Sequence, residues 1–517
     1  MHEHTPIADG KAANRSGRLA DWDGDKAAAF LKQAANLLCE HMASRNDLTQ
    51  PVVRLASPAE LAVAFTEAGV PLELRVGEDA ASMPRLLAAL GATLEHSVRT
   101  AHPLFLNQLY ARPEPAGIAG DWLTVVANTN VHTYEAAPVF TLVERAVLAR
   151  LAVLAGPSWA AAHDGLFVPG GSIANMYGMH LARAVVDPDS ASRGAAGGPC
   201  LVAFTSAQAH YSYLKSARVC GLGSDNLVAV PCDASGAMLP AELEVAVEAA
   251  LARGGVPFFV GATAGSTVLG AFDPLVELAK VCRRHNMWLH CDGAWGGACL
   301  LSAMHRGLMD GVELVDSLAL NPHKMMGLPL QCSVFLARRE GLLQSTNSSN
   351  ADYLFQPDKL HADMDLGDKT IQCGRRADAY KLWLTWKALG DAGLEQRMDR
   401  NIALAAHVEA RVVASGGAFQ MVRPRSFANV CFWWLPRALR PFDAAAASPE
   451  QLTALGKVAP ALKMRMQQSG DAMIGFQPLD GLPNFFRLVF ASASALRFED
   501  LDALMSRMDA LGLELFP

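Results

Sequence analysis

The sequence predicts an α/β protein with a mostly parallel central sheet, preceded by a helical arm and followed by a small α+β domain. Three observations carry that expectation. Apolar strand-like runs (PCLVAFTS, NLVAVPC, PFFVGATAG, MWLHCDGAW, SLALNPH and QCSVFLAR) alternate with helical patterns through the middle of the chain, and parallel strands need such crossovers. At 517 residues the chain exceeds one small core and has room for two or three domains. Hydrophobic residues make up 51% and charged residues 18%, the balance of a folded globular protein rather than a disordered or fibrous one.

Residues 1–20 are polar and rich in Gly, Ala and charge, which predicts a mobile terminus. Residues 21–112 form the arm: Phe30, Leu31, Ala34, Ala35 and Leu38 recur at helical spacing, and Pro51, Pro58 and Pro71 divide the stretch. Residues 113–385 hold the alternating runs, so chemistry is expected at the carboxyl ends of their strands. Residues 386–517 carry helical patterns at Leu394 to Ser415 and Pro449 to Ser469, the strand candidates NVCFWWLP and FFRLVFA, and a final amphipathic helix. Stretches rich in Ala, Gly and Pro at 186–199 and 441–449 read as surface loops.

Several function classes drop out. A net charge of −7 with no concentrated basic face argues against a nucleic-acid partner. Ten cysteines without a CxxC pair read as reduced thiols in a cytoplasmic protein. No secretory leader pattern opens the chain, and no apolar run is long enough to cross a bilayer, so no membrane partner is expected.

Four segments carry chemistry when read together. Pro169-Gly170-Gly171-Ser172 follows the apolar GLFV and opens a helical pattern, where free N–H groups and a hydroxyl can meet a phosphate; taken alone it reads equally as a turn with Ser172 capping the helix. Trp288-Leu289-His290-Cys291-Asp292 is an apolar strand delivering a carboxylate at its end. Such an anion can keep a pyridine nitrogen protonated, or serve as a metal ligand or helix cap. In Asn321-Pro322-His323-Lys324 a lysine sits between LALNP and MMGLPLQC, apolar company in which burial makes an amine nucleophilic. His210, in His210-Tyr211-Ser212, can stack on a flat ring or be a structural histidine.

Read in order, PGGSIANMY, FTSAQAHYS, ATAGSTVLGAFDP, WLHCDGAWGG, NPHKMMGLPLQCS, YLFQPDK, DKTIQCGRRADAYKLWLTWKA and NFFRLVF resemble the group II pyridoxal 5'-phosphate (PLP) decarboxylases. Within that family the likeness is greatest to the glutamate and cysteine-sulfinate decarboxylase branch, and it runs from about residue 102 to the C-terminus. The resemblance implies the PLP-dependent transferase-like fold (fold type I), PLP as cofactor and no metal. It implies that Lys324 forms the Schiff base, that His210 stacks on the ring and that Asp292 pairs with the pyridine nitrogen. Gly171, Ser172, Asn321 and His323 match phosphate contacts, and Ser266 falls among the cofactor-binding positions. Gln108, Asn130 and His132 match the substrate side, and Arg487 matches the arginine that grips the α-carboxylate, although a structural salt bridge would also suit it. A homodimer with active sites shared across the interface follows from the same resemblance, with the arm as dimerisation segment.

The sequence also departs from these relatives. After FQPDK they carry a loop tyrosine that protonates the carbanion; here the run is LHADMDLGDK, with His361 nearest that place as candidate proton donor. His132 stands where they place an aromatic. Ser266 replaces a usual threonine, and Gly293 replaces the alanine usual after the aspartate, which predicts a methyl missing from one face of the ring and a looser cofactor grip. The leading expectation is α-decarboxylation of a small acidic amino acid (glutamate, aspartate or cysteine sulfinate) to the amine and CO2. Two alternatives stand beside it: decarboxylation-coupled oxidation to an aldehyde, or transamination, on the same scaffold; and a catalytically impaired paralogue serving as a binding or regulatory subunit.

Overall fold

In the computed structural model, which describes residues 24–76, 78–491 and 495–517, the chain divides into two units at Arg99/Thr100. The terminus expected to be mobile lies outside the described residues. The described part of the first unit is helical, with segments Gly24–Ala43, Pro58–Glu67 and Met83–His96. The second of these starts where sequence chemistry says it should: Ser57 caps it, Glu60 returns the bond to the Ser57 N–H, and Pro58 occupies the first turn. None of the three helices buries a residue, and Leu74 and Val76 are fully open.

The second unit begins with a short strand, β1 (Phe105–Leu106), and then builds the large sheet. Its strands are β2 (Asp164–Val168), β3 (Leu201–Ser206), β4 (Leu227–Val230), β5 (Val256–Thr263), β6 (Trp288–Gly293), β7 (Ser317–Leu320) and β8 (Ser333–Ala337). They lie in the order β2-β8-β7-β6-β5-β3-β4. Only β8 runs against its neighbours, so the sheet is mostly parallel as expected. The six apolar runs read from the sequence supply β3 to β8, and apart from the edge strand β4 their side chains are almost wholly buried, as expected of strands covered on both faces. Register aligns the carboxyl ends: Thr263 pairs with Asp292, and Asp292 with Ala319.

A second sheet contains β9 (Phe419–Met421), β10 (Asn429–Trp434), β11 (Met473–Leu479) and β12 (Leu482–Val489), in the order β1-β11-β12-β10-β9. The strand β11 was missed because Gly475 and Pro478 argue against a strand; the sheet accommodates the proline at a register shift between Gln477 and Leu479. The helix expected from Leu394 begins at Asp378 and is interrupted at Gly390, whose φ of 66° departs from the helix. The expected Pro449–Ser469 helix is two, Pro449–Gly456 and Val458–Ser469. No described helix is long and apolar enough to cross a membrane.

Candidate active site

The carboxyl ends of the parallel strands open into a cavity of about 380 Å³, within the roughly 300–1,000 Å³ range of small-molecule sites. Its wall brings together Gly171, Ser172, His210, Asp292, Asn321, His323 and Lys324, seven of the residues singled out by sequence. They arrive from four separate connections of the chain. Gly171 and Ser172 open the helix Gly171–Val186 directly after β2, so first-turn N–H groups without helical partners lie at the cavity wall. Asp292 is the penultimate residue of β6, and Lys324 lies four residues beyond the end of β7. Gly171 is required by close packing: a Cβ there would stand 2.6 Å from Asn321 Nδ2.

Electrostatics distinguish the lysine from a surface charge. Burial pushes the Lys324 amine below the usual lysine range, and the Asp292 carboxylate pulls it part of the way back. Lys324 Nζ makes no ion pair or hydrogen bond among the described residues, so the amine stays available for chemistry. Burial also lowers His210, against the pull of Asp292. Its Nδ1 accepts the Ser212 backbone N–H at 3.2 Å, and a backbone N–H can only donate, so the neutral ring keeps its proton on Nε2. His323 is held near about 4, mainly by burial, with Nδ1 2.7 Å from the Cys332 carbonyl. Asp292 accepts from Ala294 N–H at 3.0 Å and from Asn175 Nδ2 at 2.7 Å.

Other sequence candidates lie elsewhere. Ser266 is buried beside the cavity between Gly265 and Thr267, but its Oγ accepts the Ala271 N–H at 3.0 Å and stabilises a turn. The expectation for Gly293 is corrected: side chains alternate along β6, so position 293 faces away from Asp292. A Cβ there would meet the Ala319 carbonyl at 3.0 Å and Leu318 at 3.2 Å. Arg487 is buried on β12 and donates to the carbonyls of Thr267 (3.0 Å) and Asn107 (3.1 Å). It makes no ion pair among the described residues, and its Nε is buried without a partner. Gln108 is exposed. Asn130, His132 and His361 do not line this cavity. They belong to a separate cluster in which Asn130 Oδ1 accepts the Arg375 N–H, the His132 carbonyl accepts the Gly367 N–H, and His361 sits edge-on to Tyr134 with ring centroids 5.1 Å apart.

Sequence reading missed Asn175, Thr263, Thr267, Tyr110 and Trp295, all in the cavity wall. Asn175 was legible in principle, because it stands three residues beyond Ser172 and shares its helix face. The wall could hold the coenzyme that the resemblance implies: the amine, the carboxylate near it and the first-turn N–H groups match an aldehyde, a pyridine nitrogen and a phosphate. Two polar atoms of the wall, Thr263 Oγ1 and Asn321 Oδ1, are buried without a protein partner, which fits a polar ligand. No group of three or more His, Cys, Asp or Glu among the described residues is arranged to hold a metal.

Comparison with known proteins agrees with this geometry. The model of the pyridoxal-dependent decarboxylase conserved domain matches residues 68–435. The chain is 43% identical over 490 residues to the acidic amino acid decarboxylase GADL1 of Bos taurus, covering 94% of this chain and 91% of that one. It is 46% identical over 446 residues to the cysteine sulfinic acid decarboxylase of Homo sapiens, covering 86% and 89%. The solved structure of mouse CSAD superposes with a TM-score of 0.89 at 41% identity, over 95% of this chain and 99% of that one.

Proposed function

The chain belongs to the pyridoxal-dependent decarboxylase family, and we propose that it removes the α-carboxylate of a small acidic L-amino acid, releasing CO2 and the amine. The observation that carries the reading is Lys324: an amine depressed by burial, unpaired, and facing a cavity that also holds Asp292. When bound, PLP supplies an aldehyde for the substrate amine and an electron-poor ring that takes up the electron pair left by CO2. Lys324 would hold the coenzyme covalently, and Asp292 would hold the proton on its ring nitrogen. The His210 ring would lie against its face, while Gly171, Ser172, Asn321 and His323 would take the phosphate. Thr263, with its unpartnered hydroxyl, is a better candidate for a ring contact than Ser266, whose Oγ is already engaged.

Arg487 would orient the α-carboxylate so that the scissile bond stands across the ring plane. A second cation supports an acidic substrate. Lys463 Nζ donates to Asn107 Oδ1 at 3.0 Å, while Arg487 donates to the carbonyl of the same residue. Neither cation has a carboxylate partner among the described residues, and two uncompensated charges on one residue favour an anionic guest.

His361 would deliver the final proton to the substrate carbon, and Asn130 and His132 would set side-chain preference. Their absence from the cavity wall of the single chain supports a homodimer in which each subunit completes the other's site. The unburied apolar faces of the N-terminal arm support that assembly too. Ten unpaired cysteines favour a reducing, cytoplasmic compartment.

The test is CO2 release from a panel of amino acids, with products identified and repeated on His132→Phe and His361→Tyr. Release from glutamate, aspartate or cysteine sulfinate with amine as product is expected. Turnover confined to neutral or aromatic amino acids would overturn the substrate class. Aldehyde and ammonia would transfer the reading to the oxidative branch.

A further inference from the structure

A run of polar groups behind the cavity has no role in the reading above. His290 shares the face of β6 with Asp292, two residues away, yet is fully buried and does not line the cavity. Its ring stacks near Phe259 and Phe335, with centroids 6.0 Å and 6.3 Å away, and Tyr213 meets it edge-on. The neighbouring helix approaches closely only because residue 178 is glycine; a Cβ there would stand 2.7 Å from His290 Nδ1. His290 Nδ1 lies 2.8 Å from Ser317 Oγ, which also receives the Trp288 indole N–H at 2.8 Å. On the other side His290 Nε2 lies 3.1 Å from Asn175 Oδ1. The two N–H groups of that amide go to Asp292 Oδ2 (2.7 Å) and Ser212 Oγ (3.0 Å).

Each link of this run has only one possible direction. A carboxylate oxygen accepts, so Asn175 must turn its NH2 toward Asp292 and its oxygen toward His290. An amide oxygen also only accepts, so His290 must carry its proton on Nε2. Burial holds this ring near about 4, hence neutral at ordinary pH, which leaves Nδ1 bare. Ser317 therefore donates its hydroxyl proton to Nδ1 and accepts from Trp288, whose N–H can only donate. Donor meets acceptor at every step from Trp288 to Asp292.

We infer that His290 is a positioning residue: as the Nε2–H tautomer it locks the Asn175 amide, and the locked amide aims the Asp292 carboxylate at the ring nitrogen of the bound coenzyme. This rests on the reading of Asp292 given above. The same amide reaches Ser212, whose backbone N–H holds His210. One side chain thus ties the group facing the ring's edge to the group facing its plane. Without the His290 proton the Asn175 oxygen is left buried and unpaired, so the amide is no longer held from both sides and its grip on the carboxylate slackens.

The test has two parts. In the coenzyme-loaded protein, ¹⁵N-histidine NMR, with the His290 signals identified by their loss in His290→Gln, is expected to show a protonated Nε2 and a bare Nδ1. A proton on Nδ1, or on both nitrogens, would overturn the inference. Second, coenzyme dissociation constants are measured for His290→Leu, His290→Gln, Asn175→Ala and the Leu/Ala double variant. His290→Leu and Asn175→Ala are each expected to weaken binding about tenfold, the equivalent of one charge-assisted hydrogen bond. The double variant should be no worse than the worse single one, because the groups act in series. His290→Gln, which keeps an N–H toward Asn175, should bind within about threefold of the unaltered protein. Losses that multiply in the double variant, or a glutamine no better than leucine, would sink the idea. Asp292→Asn separates the two readings: unchanged coenzyme affinity and absorption there would remove the role given to Asp292, while the NMR result would still decide the direction of the run.

Discussion

Gly170 and Gly171 make a paired perturbation that isolates the phosphate end of the site. Gly170 has a φ of 99°, a conformation L side chains rarely adopt, but nothing within 4 Å of an added Cβ. Gly171 has no such backbone demand, yet a Cβ would come within 2.6 Å of Asn321 Nδ2 and 3.1 Å of Oδ1. Ordinary carbon contacts begin at about 3.5 Å, so Gly171→Ala must drive the Asn321 amide back by about 1 Å. That displacement removes one contact to a charged phosphate, about 1.5–3 kcal/mol, or roughly 10-fold to 150-fold in coenzyme affinity. Gly170→Ala instead forces a strained backbone, costing about 1–3 kcal/mol of folding free energy with no intrusion on the amide. Titration of coenzyme-free protein with PLP, followed by absorbance, gives the dissociation constants, and thermal melts of the same samples give stability. Gly171→Ala should lose affinity with little change in melting temperature, and Gly170→Ala should do the reverse. A folded Gly171→Ala protein that binds PLP as tightly as the unaltered chain would show that Asn321 does not contact the phosphate.

Lys324→Ala should abolish turnover and the borohydride-reducible chromophore; undiminished activity would refute the assignment of the reactive amine. Lys463→Met should raise KM for dicarboxylic substrates about tenfold while Arg487→Gln also lowers kcat, since only the latter group is assigned to the scissile carboxylate. Equal effects of Lys463→Met on acidic and neutral substrates would remove it from the substrate side. Buried His290 sets an acid limit on the fold. Its folded pKa of about 4 lies below the unfolded value of 6.5, so the unfolded chain takes up the proton first. The neutral ring's contribution is intact above about 6.5 and is lost as pH falls toward 4, where the penalty reaches roughly 3 kcal/mol. The melting temperature of the unaltered chain should therefore fall more steeply from pH 7 to 4.5 than that of His290→Gln, and parallel curves would contradict a buried neutral imidazole.

The large sheet was legible because both its faces are covered, so each strand announces itself as a short apolar run bounded by turns. The residues at its strand ends were legible for the same reason: Asp292 and Lys324 are charged groups in apolar company, which burial makes conspicuous. Three-dimensional neighbours were harder to see. Asn175 and His290 look like ordinary polar residues in their segments, and only the pairing of a helix face with a strand face through Gly178 brings them together. Gly293 misled because adjacency in sequence to Asp292 is opposition in space; a strand turns successive side chains to opposite faces. Thr263 went unnoticed because register, not sequence, aligns it with Asp292.

The groups assigned to hold the coenzyme and the group assigned to finish the reaction sit on very different supports. Asp292, Asn321 and His323 are buried at strand ends, where the packed sheet fixes their positions. His361 is exposed, and no residue from Ser348 to Asp365 is buried, so this loop is held by surface polar contacts and not by core packing. Its backbone is also unusual: φ is 61° at His361, in the left-handed region that glycine prefers. A substitution there therefore acts in two opposing ways. His361→Gly relieves the backbone while removing the imidazole, so a stabilised loop that yields less amine and more aldehyde would assign proton delivery to the ring itself. If the amine yield instead stayed constant, the proton would have to come from another donor, and the difference from a loop tyrosine would carry no chemical meaning. Evolution of product outcome in this scaffold then needs no change in the sheet, because the coenzyme's grip and the last proton transfer reside in parts of the fold that can vary independently.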